Sequence, residues 1–516
     1  MLSEERKMKT KIRRRRGKTP FQRRFFITTP WQSFIVFILS FSFIIISSEY
    51  YLVQSIVSVA SYRQPLSSSV LFGGVTSVHY SFDNSIIVVG TKKGRIYYHD
   101  NYEQSNSSDK IGNNNSMEKG NVFDDNKNYD DGTLLYEEII SSNYSTKYPI
   151  YSIAVSSPLP SSPSPTETPK PTEEDRLLFC GSGDRWISVW WEKVGKSYDS
   201  NNGFEFVQKL GPHTGWVKDL VFDQHNRLLH SIGCNCIESW DCSAIDNNTA
   251  PMSSSIRHVT KRSIENCPTL GTTLSSDLLC LCLVPTTVIN DDEESSQLQL
   301  LVSGGVDGRI HLWFSDPTTT TTTTTTTGSN IADIRGRSSI NNNKNGHLMD
   351  EQKMVPIHTI SAHEGRVNAI LWSSAVNAIF TIGNDGVLCV FRVSSENGFQ
   401  LQSKLKINKG TSVTAEVSPT TRLSTVSLTE NINDIREQQG KCSLVLGSSN
   451  GDIYFVTAET TPDHGIVCQL LNDLCTTIDG NPMIYSIAYC EGDNTVAPSR
   501  LLIGHATGFT TLDCLE

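Results

Sequence analysis

The sequence predicts an all-β protein built from seven copies of one antiparallel unit, on three observations. A short block of apolar run, turn and second apolar run recurs seven times between Val75 and the C-terminus. Its runs alternate at period two, the spacing that sends successive side chains to opposite faces of a strand. The stretches between copies are polar and of low complexity, which marks them as connections rather than further elements. Composition agrees. A length of 516 residues fits about three ordinary domains or one large repeat array. The hydrophobic share of 37% lies below the usual ~45–50%, as expected for a packed core diluted by polar loops.

The chain opens on a basic segment, 1–33. Its first 24 residues hold eleven Lys and Arg against Glu4 and Glu5, although the whole chain has 44 Lys+Arg, 54 Asp+Glu and a net charge of −10. An acidic balance argues against general nucleic-acid binding, which needs a basic face, so no nucleic-acid partner is expected. Residues 34–60 form a hydrophobic signal or signal-anchor segment. Phe34–Ile46 is 13 residues without charge, the length of a signal-peptide apolar region. Glu49 then interrupts, and a weaker apolar stretch runs to Ala60. As a signal-anchor it leaves the basic flank in the cytosol, the remainder in the lumen and the chain on the membrane. As a cleaved signal it is followed by a second address, because residues 61–81 carry Arg63, many Ser and no acid. That order resembles the bipartite presequence of algae with secondary plastids. Delivery to the endomembrane system is expected, with the plastid as the alternative. Residues 61–67 read as linker and 68–516 as the repeat domain.

The copies follow in order. The first reads VGTKKGRIYYH from Val89 and the second CGSGDRWISVW from Cys180. The third, SIGCNCIESW from Ser231, is one residue shorter. The fourth and fifth are SGGVDGRIHLW from Ser303 and TIGNDGVLCVF from Thr381. The last two are LGSSNGDIYFV from Leu446 and IGHATGFTTLD from Ile503. Most break at Asp, Asn or Gly between two apolar runs, which specifies a tight β-hairpin. A further alternating run precedes most of them, beginning at Val75, Ile150, Trp216, Leu278, Arg366 and Met483.

This pattern resembles the WD-repeat family of β-propellers. The best matches are HTGWV from His213 with ESWD from Glu238, and AHEGRV from Ala362 with NDG from Asn384. The resemblance implies a seven-bladed β-propeller of four-stranded antiparallel blades with low-complexity loop insertions. It also implies a buried hydrogen-bond chain of His, Ser/Thr, Asp and Trp in each good copy. His213, Ser231 and Trp240 supply three members, with Cys234 near the Asp place. His363, Thr381 and Asp385 supply three, with Phe391 for Trp. Ser303, Asp307 and Trp313 supply three without an evident His. The seventh copy provides three strands, so its outer strand is expected from Ser68–Phe72, closing the ring.

From residue 75 onward each copy spans about 63 residues where ~40–45 suffice. The excess falls in insertions at about 101–131, 156–174, 290–296 and 317–346. The resemblance places all four on one rim and leaves short loops on the other. A rim that tolerates such insertions does not need a defined surface. The working surface is therefore expected at the short-loop rim and channel mouth. Its candidates are Arg185 and Trp186, Trp216 and Lys218, Arg366 and Asn368, and Tyr485. Trp, Tyr and Arg dominate binding hot spots because they desolvate large areas and keep a polar handle.

No phosphate loop, nucleophile elbow, HExxH or EF-hand motif occurs. His213, Asp219 and Ser231 read as fold-stabilising residues rather than a triad. The 13 cysteines include Cys234-x-Cys236 and Cys280-x-Cys282. Without a paired C-x-x-C or nearby paired His, both read as buried thiols rather than zinc ligands. An odd, unframed cysteine set suits a reducing compartment. Four sequons begin at Asn106, Asn114, Asn143 and Asn247. The expected function is a non-enzymatic scaffold that binds other proteins without catalytic residue, metal or cofactor. The alternatives are a membrane-anchored secretory-pathway adaptor and an enzyme using the central channel.

Overall fold

The computed structural model describes residues 58–59, 73–80, 86–100, 137–139, 146–156, 176–192, 204–243, 256–263, 277–288, 296–315, 356–394, 398–407, 421–429, 440–463, 465–490 and 499–515. After β1 (Ser58–Val59), the first blade is β2 (Val75–Tyr80), β3 (Ile86–Thr91), β4 (Ile96–Asp100) and β5 (Glu137–Glu138). The second is β6 (Ile150–Val155), β7 (Leu177–Ser182), β8 (Ile187–Glu192) and β9 (Phe204–Leu210). The third is β10 (Val217–Asp223), β11 (Leu228–Gly233), β12 (Cys236–Asp241) and β13 (Arg257–Ser263). The fourth is β14 (Leu278–Val288), β15 (Ser296–Gly305), β16 (Arg309–Phe314) and β17 (His358–Ser361). The fifth is β18 (Val367–Ser373), β19 (Ala378–Gly383), β20 (Val387–Ser394) and β21 (Gly398–Lys406). The sixth is β22 (Leu423–Leu428), β23 (Lys441–Ser448), β24 (Asp452–Thr460) and β25 (Ile466–Leu470), and β26 (Thr476–Thr477) also pairs with β24. The seventh is β27 (Ile484–Cys490), β28 (Ser499–His505) and β29 (Gly508–Leu515), with β1 as its outer strand.

The first strands of successive blades meet in cyclic order, β2, β6, β10, β14, β18, β22, β27 and back to β2. The protein is a seven-bladed β-propeller with these strands around the central axis.

Second strands are buried on both faces, which explains their unbroken apolar runs. All six residues of β3 are buried, and alternate ones face different neighbours. Ile86 and Val88 pack with Leu178 and Trp190 of the second blade. Ile87 and Val89 pack with Leu502 and Phe509 of the seventh. Five further clusters fill the remaining blade interfaces. At ~25 cal/mol per Å² of apolar surface removed from water, these interfaces are the main force holding the ring.

The ring closes, but not where the sequence suggests. Ser58 pairs with Leu515 and Val59 with Cys514, whereas Ser68–Phe72 lies outside the described residues. Reach explains the difference. An outer strand lies three strand spacings, or ~14–15 Å, from the next inner strand. Only Gly73 and Gly74 separate Phe72 from β2, a span of roughly 10 Å at full extension. The corresponding links hold six residues between β9 and β10 and five between β17 and β18. The compact unit accordingly starts at Val57. Residues 34–57 lie outside the described residues. Among the described ones no helix is long and apolar enough to cross a membrane.

Alternating strand direction puts the links from first to second and from third to fourth strands on one rim. The insertions at 101–131, 157–174, 290–295 and 317–346 lie outside the described residues. Their flanking strands are β4 and β5, β6 and β7, β14 and β15, and β16 and β17, all links of that rim. The opposite rim carries the tight hairpin turns, with longer links between β5 and β6, β13 and β14, β21 and β22, and β25 and β27. The sequons lie outside the described residues, and the twelve described cysteines are free.

Candidate functional site

Each first strand carries a β-bulge at the same place. The register against the second strand slips between Val75 and Ser77, Ile150 and Ser152, Val217 and Asp219, and Leu278 and Cys280. It slips likewise between Val367 and Ala369, Leu423 and Thr425, and Ile484 and Ser486. The extra residues are Thr76, Tyr151, Lys218, Leu279, Asn368, Ser424 and Tyr485. A bulge re-aims a side chain that would otherwise alternate between faces. Here it stations seven residues around the channel mouth on the short-loop rim.

The frame under this mouth is tied from blade to blade. Ser486 Oγ accepts from Val78 N (3.1 Å), and Ser77 Oγ donates to Ile150 O (3.1 Å). Asp219 accepts from Ser152 Oγ (2.9 Å), from its neighbour Leu220 N (2.9 Å) and from Leu281 N (2.8 Å), joining blades two, three and four. Burial pushes the Asp219 carboxyl up to about 6, against the pull of those three hydrogen bonds. In six blades an amide of the hairpin turn also donates to the carbonyl just before the first strand. The pairs are Lys92 to Gly74, Gly183 to Pro149, Val306 to Asp277, Asn384 to Arg366, Ser449 to Arg422 and Ala506 to Met483. The rim is thus rigid, which lowers the ordering cost of binding.

Tyr151 and Trp216 stack with centroids 5.8 Å apart. Lys218 Nζ lies 4.1 Å from the Tyr151 ring centre and 4.5 Å from that of Trp216. The ring quadrupoles attract this ammonium. Burial lowers the Lys218 pKa; Arg366 lowers it further, while Asp277 and Cys234 oppose. Burial, then Tyr485, raises that of Tyr151. The structure therefore brings Trp216 and Lys218 together with Tyr151, while Arg366 and Tyr485, from the fifth and seventh blades, act on this group electrostatically. Trp216 is 53% exposed.

Arg185 is exposed in the turn between β7 and β8, with Trp186 half-buried beside it. Its φ of 74° is left-handed, whereas Gly94, Gly308, Gly386 and Gly451 take the same turn position at 71–79° in other blades. An L-residue there costs ~1–2 kcal/mol. Asn368 differs from the other candidates, because its amide is committed to Asn384 Oδ1 (2.8 Å) and to Leu423 O. It serves the frame.

Behind the rim, His213 Nε2 meets Ser231 Oγ at 2.8 Å, and Trp240 Nε1 donates to that hydroxyl at 2.9 Å. His363 Nε2 meets Thr381 Oγ1 at 2.9 Å and its Nδ1 meets Asp385 at 3.1 Å. Trp313 Nε1 donates to Ser303 Oγ at 2.9 Å. Asp307 instead accepts from Arg309 N at 3.1 Å.

Sequence reasoning passes over Tyr148, Val306 and Met483 as surface residues. They are 55%, 44% and 41% exposed, on the same rim as Trp216. The other exposed large apolar residues among those described are Val259, Leu401 and Val467, all on outermost strands. The bulge did leave a signal. Apolar residues sit three apart at Val75/Val78, Ile150/Ile153, Val217/Leu220, Leu278/Leu281, Val367/Ile370, Leu423/Val426 and Ile484/Ile487, where strict alternation requires two.

This architecture defines a β-propeller with a rigid, aromatic and cationic rim. The family model for the WD domain, G-beta repeat, matches residues 354–392, the stretch that runs into and through most of the fifth blade. No curated protein matches its sequence. Among solved structures it is similar to the β-propeller domain of Myceliophteria thermophila Cps50 (Swd1), at 9% identity and a TM-score of 0.46, over 89% of this chain and 99% of that one. WD-repeat propellers generally serve as protein-interaction scaffolds.

Proposed function

We propose that this propeller is a non-enzymatic scaffold that captures partner proteins on its short-loop rim. One observation carries the reading. Four of the seven exposed large apolar residues among those described, Tyr148, Trp216, Val306 and Met483, lie in loops of that rim. A rigid apolar and aromatic surface with Arg185 and Arg366 at hand has the composition of an interface centre. The test is affinity capture with the full chain, the Arg185→Glu/Arg366→Glu variant and a chain lacking 317–346. Capture lost by the double variant at an unchanged melting transition supports the reading. Capture lost only by the deletion assigns the function to the insertion rim.

The uncharged Phe34–Ile46 behind a basic flank supports a second reading, an adaptor attached to a secretory membrane or delivered to a plastid. Imaging a tagged chain together with N-terminal sequencing of the mature protein separates these addresses. Glycan on Asn143 or Asn247 argues against a stromal location.

A further inference from the structure

The third blade departs from the hydrogen-bond chain of the fifth in a way that leaves a buried nitrogen unmatched. In the fifth blade the hairpin supplies Asp385, whose carboxylate meets His363 Nδ1 at 3.1 Å. The third hairpin is one residue shorter and has Cys234 and Asn235 there. The acid facing His213 comes instead from the strand, as Glu238 on β12. Its Oε1 stands 3.7 Å from His213 Nδ1, beyond hydrogen-bond reach. His213 is 1% exposed, and its buried Nδ1 has no hydrogen-bond partner.

Counting protons shows what that nitrogen carries. Ser231 Oγ touches three groups: the Trp240 indole N–H at 2.9 Å, Glu238 O at 3.2 Å and His213 Nε2 at 2.8 Å. The indole only donates and the carbonyl only accepts. All three contacts are hydrogen bonds together when Ser231 donates to Glu238 O and His213 donates from Nε2. A neutral imidazole that donates from Nε2 has no second ring proton. His213 Nδ1 then presents a bare lone pair to a carboxylate oxygen. In the fifth blade Phe391 replaces the indole. The Thr381 hydroxyl is free to donate to Nε2, and Nδ1–H points at Asp385. Trp240 and the shortened hairpin thus set up opposed acceptors in the third blade.

A thiol completes the set. Cys236 Sγ lies 3.9 Å from Glu238 Oε1, and the candidate ligand atoms of His213, Cys236 and Glu238 all fall within 4.8 Å of one another. Tetrahedral zinc, with bonds of about 2.0–2.3 Å to N, O and S, has ligand–ligand edges of about 3.4 Å for N–O and 3.6 Å for S–O. The N–O and S–O separations exceed these by a few tenths of an ångström. Thr214 Oγ1, 3.5 Å from Cys236 Sγ, is placed to donate to a thiolate. Imidazole with thiolate excludes calcium and magnesium, which take oxygen ligands.

We propose that His213 Nδ1, Cys236 Sγ and Glu238 Oε1 form a zinc site inside the third blade, with the fourth position open to water or an incoming ligand. Binding breaks the Cys236 S–H bond, forms the zinc–sulfur bond and releases the proton to solvent, with no electron transferred. Lys261 Nζ, 3.6 Å from the same Glu238 oxygen, is the cation that zinc displaces. At 32% side-chain exposure it has solvent to move into.

The test uses the full chain and cobalt(II) as a spectroscopic substitute. The expected result is one equivalent bound, with a thiolate-to-cobalt charge-transfer band that is lost in Cys236→Ser and kept in Cys234→Ser. Thr214→Val should weaken the affinity about tenfold, as loss of a supporting hydrogen bond to a ligand does. No band in the wild type, or a band surviving in Cys236→Ser, overturns the site, as does a band lost in Cys234→Ser. If Cys236→Ser does not fold, zinc X-ray absorption on the wild type decides. One sulfur with nitrogen and oxygen neighbours supports the site, and a sulfur-free shell rejects it.

Discussion

Asp219→Asn tests the inner frame through its pH dependence. The carboxylate receives three hydrogen bonds that join three blades, and burial raises its pKa from 3.8 to about 6. A carboxyl raised on folding binds its proton more tightly in the folded state. Its stabilising contribution is full below 3.8 and is lost as pH rises through 6. The rise from 3.8 to about 6, at 1.36 kcal/mol per pH unit, corresponds to about 3 kcal/mol. Asparagine does not titrate. Its amide sets an N–H against one of the three donors, at a pH-independent cost of about 1–3 kcal/mol. The variant should therefore be less stable than wild type at pH 4, and the gap should close by about 2.4 kcal/mol by pH 7. Paired urea denaturation at pH 4, 5.5 and 7, followed by fluorescence of buried Trp190 and Trp313, measures it. A gap that stays constant, or widens as pH rises, refutes the reasoning.

Two further outcomes are expected. Burial lowers His311 and His505 to about 4, so the unfolded chain binds more protons; stability should fall as pH drops from 6.5 towards 4, by up to about 3 kcal/mol per histidine. A melting point that rises from pH 6.5 to 4.5 contradicts this. Arg185→Gly relieves a left-handed backbone while adding freedom to the unfolded chain, so it should stabilise by up to about 1 kcal/mol and weaken partner capture; a destabilised variant contradicts the strain.

Much of the fold was legible because one pattern recurs. Hairpin turns such as Asn384-Asp385-Gly386 and doubly buried runs such as β3 repeat in register, so weak copies support strong ones. The closing strand was not legible. A two-residue pairing carries no period, and only the reach from β29 to β2 constrains where it comes from. Within the site, residue type singled out Trp216, Lys218, Arg185 and Arg366. It could not show that Asn368 is bonded internally, nor that Tyr151 stacks on Trp216 from another blade. His213 and Cys236 are 23 residues apart in the chain, on different elements. No local metal motif joins them, and the missing Asp of the third hairpin was the only trace.

The strand that completes the last blade has a bearing on maturation. Ser58–Val59 lies immediately before Ala60, within the small-residue stretch a signal peptidase accepts. Cleavage after Ala60 would carry the strand away and expose the backbone edge of Cys514 and Leu515, an invitation to pairing with another chain. An uncut chain keeps Ser58 paired with Leu515 and Val59 with Cys514. Proteolytic processing and a sealed ring are thus alternatives at this point, and the mature N-terminus reports which of them the cell has chosen.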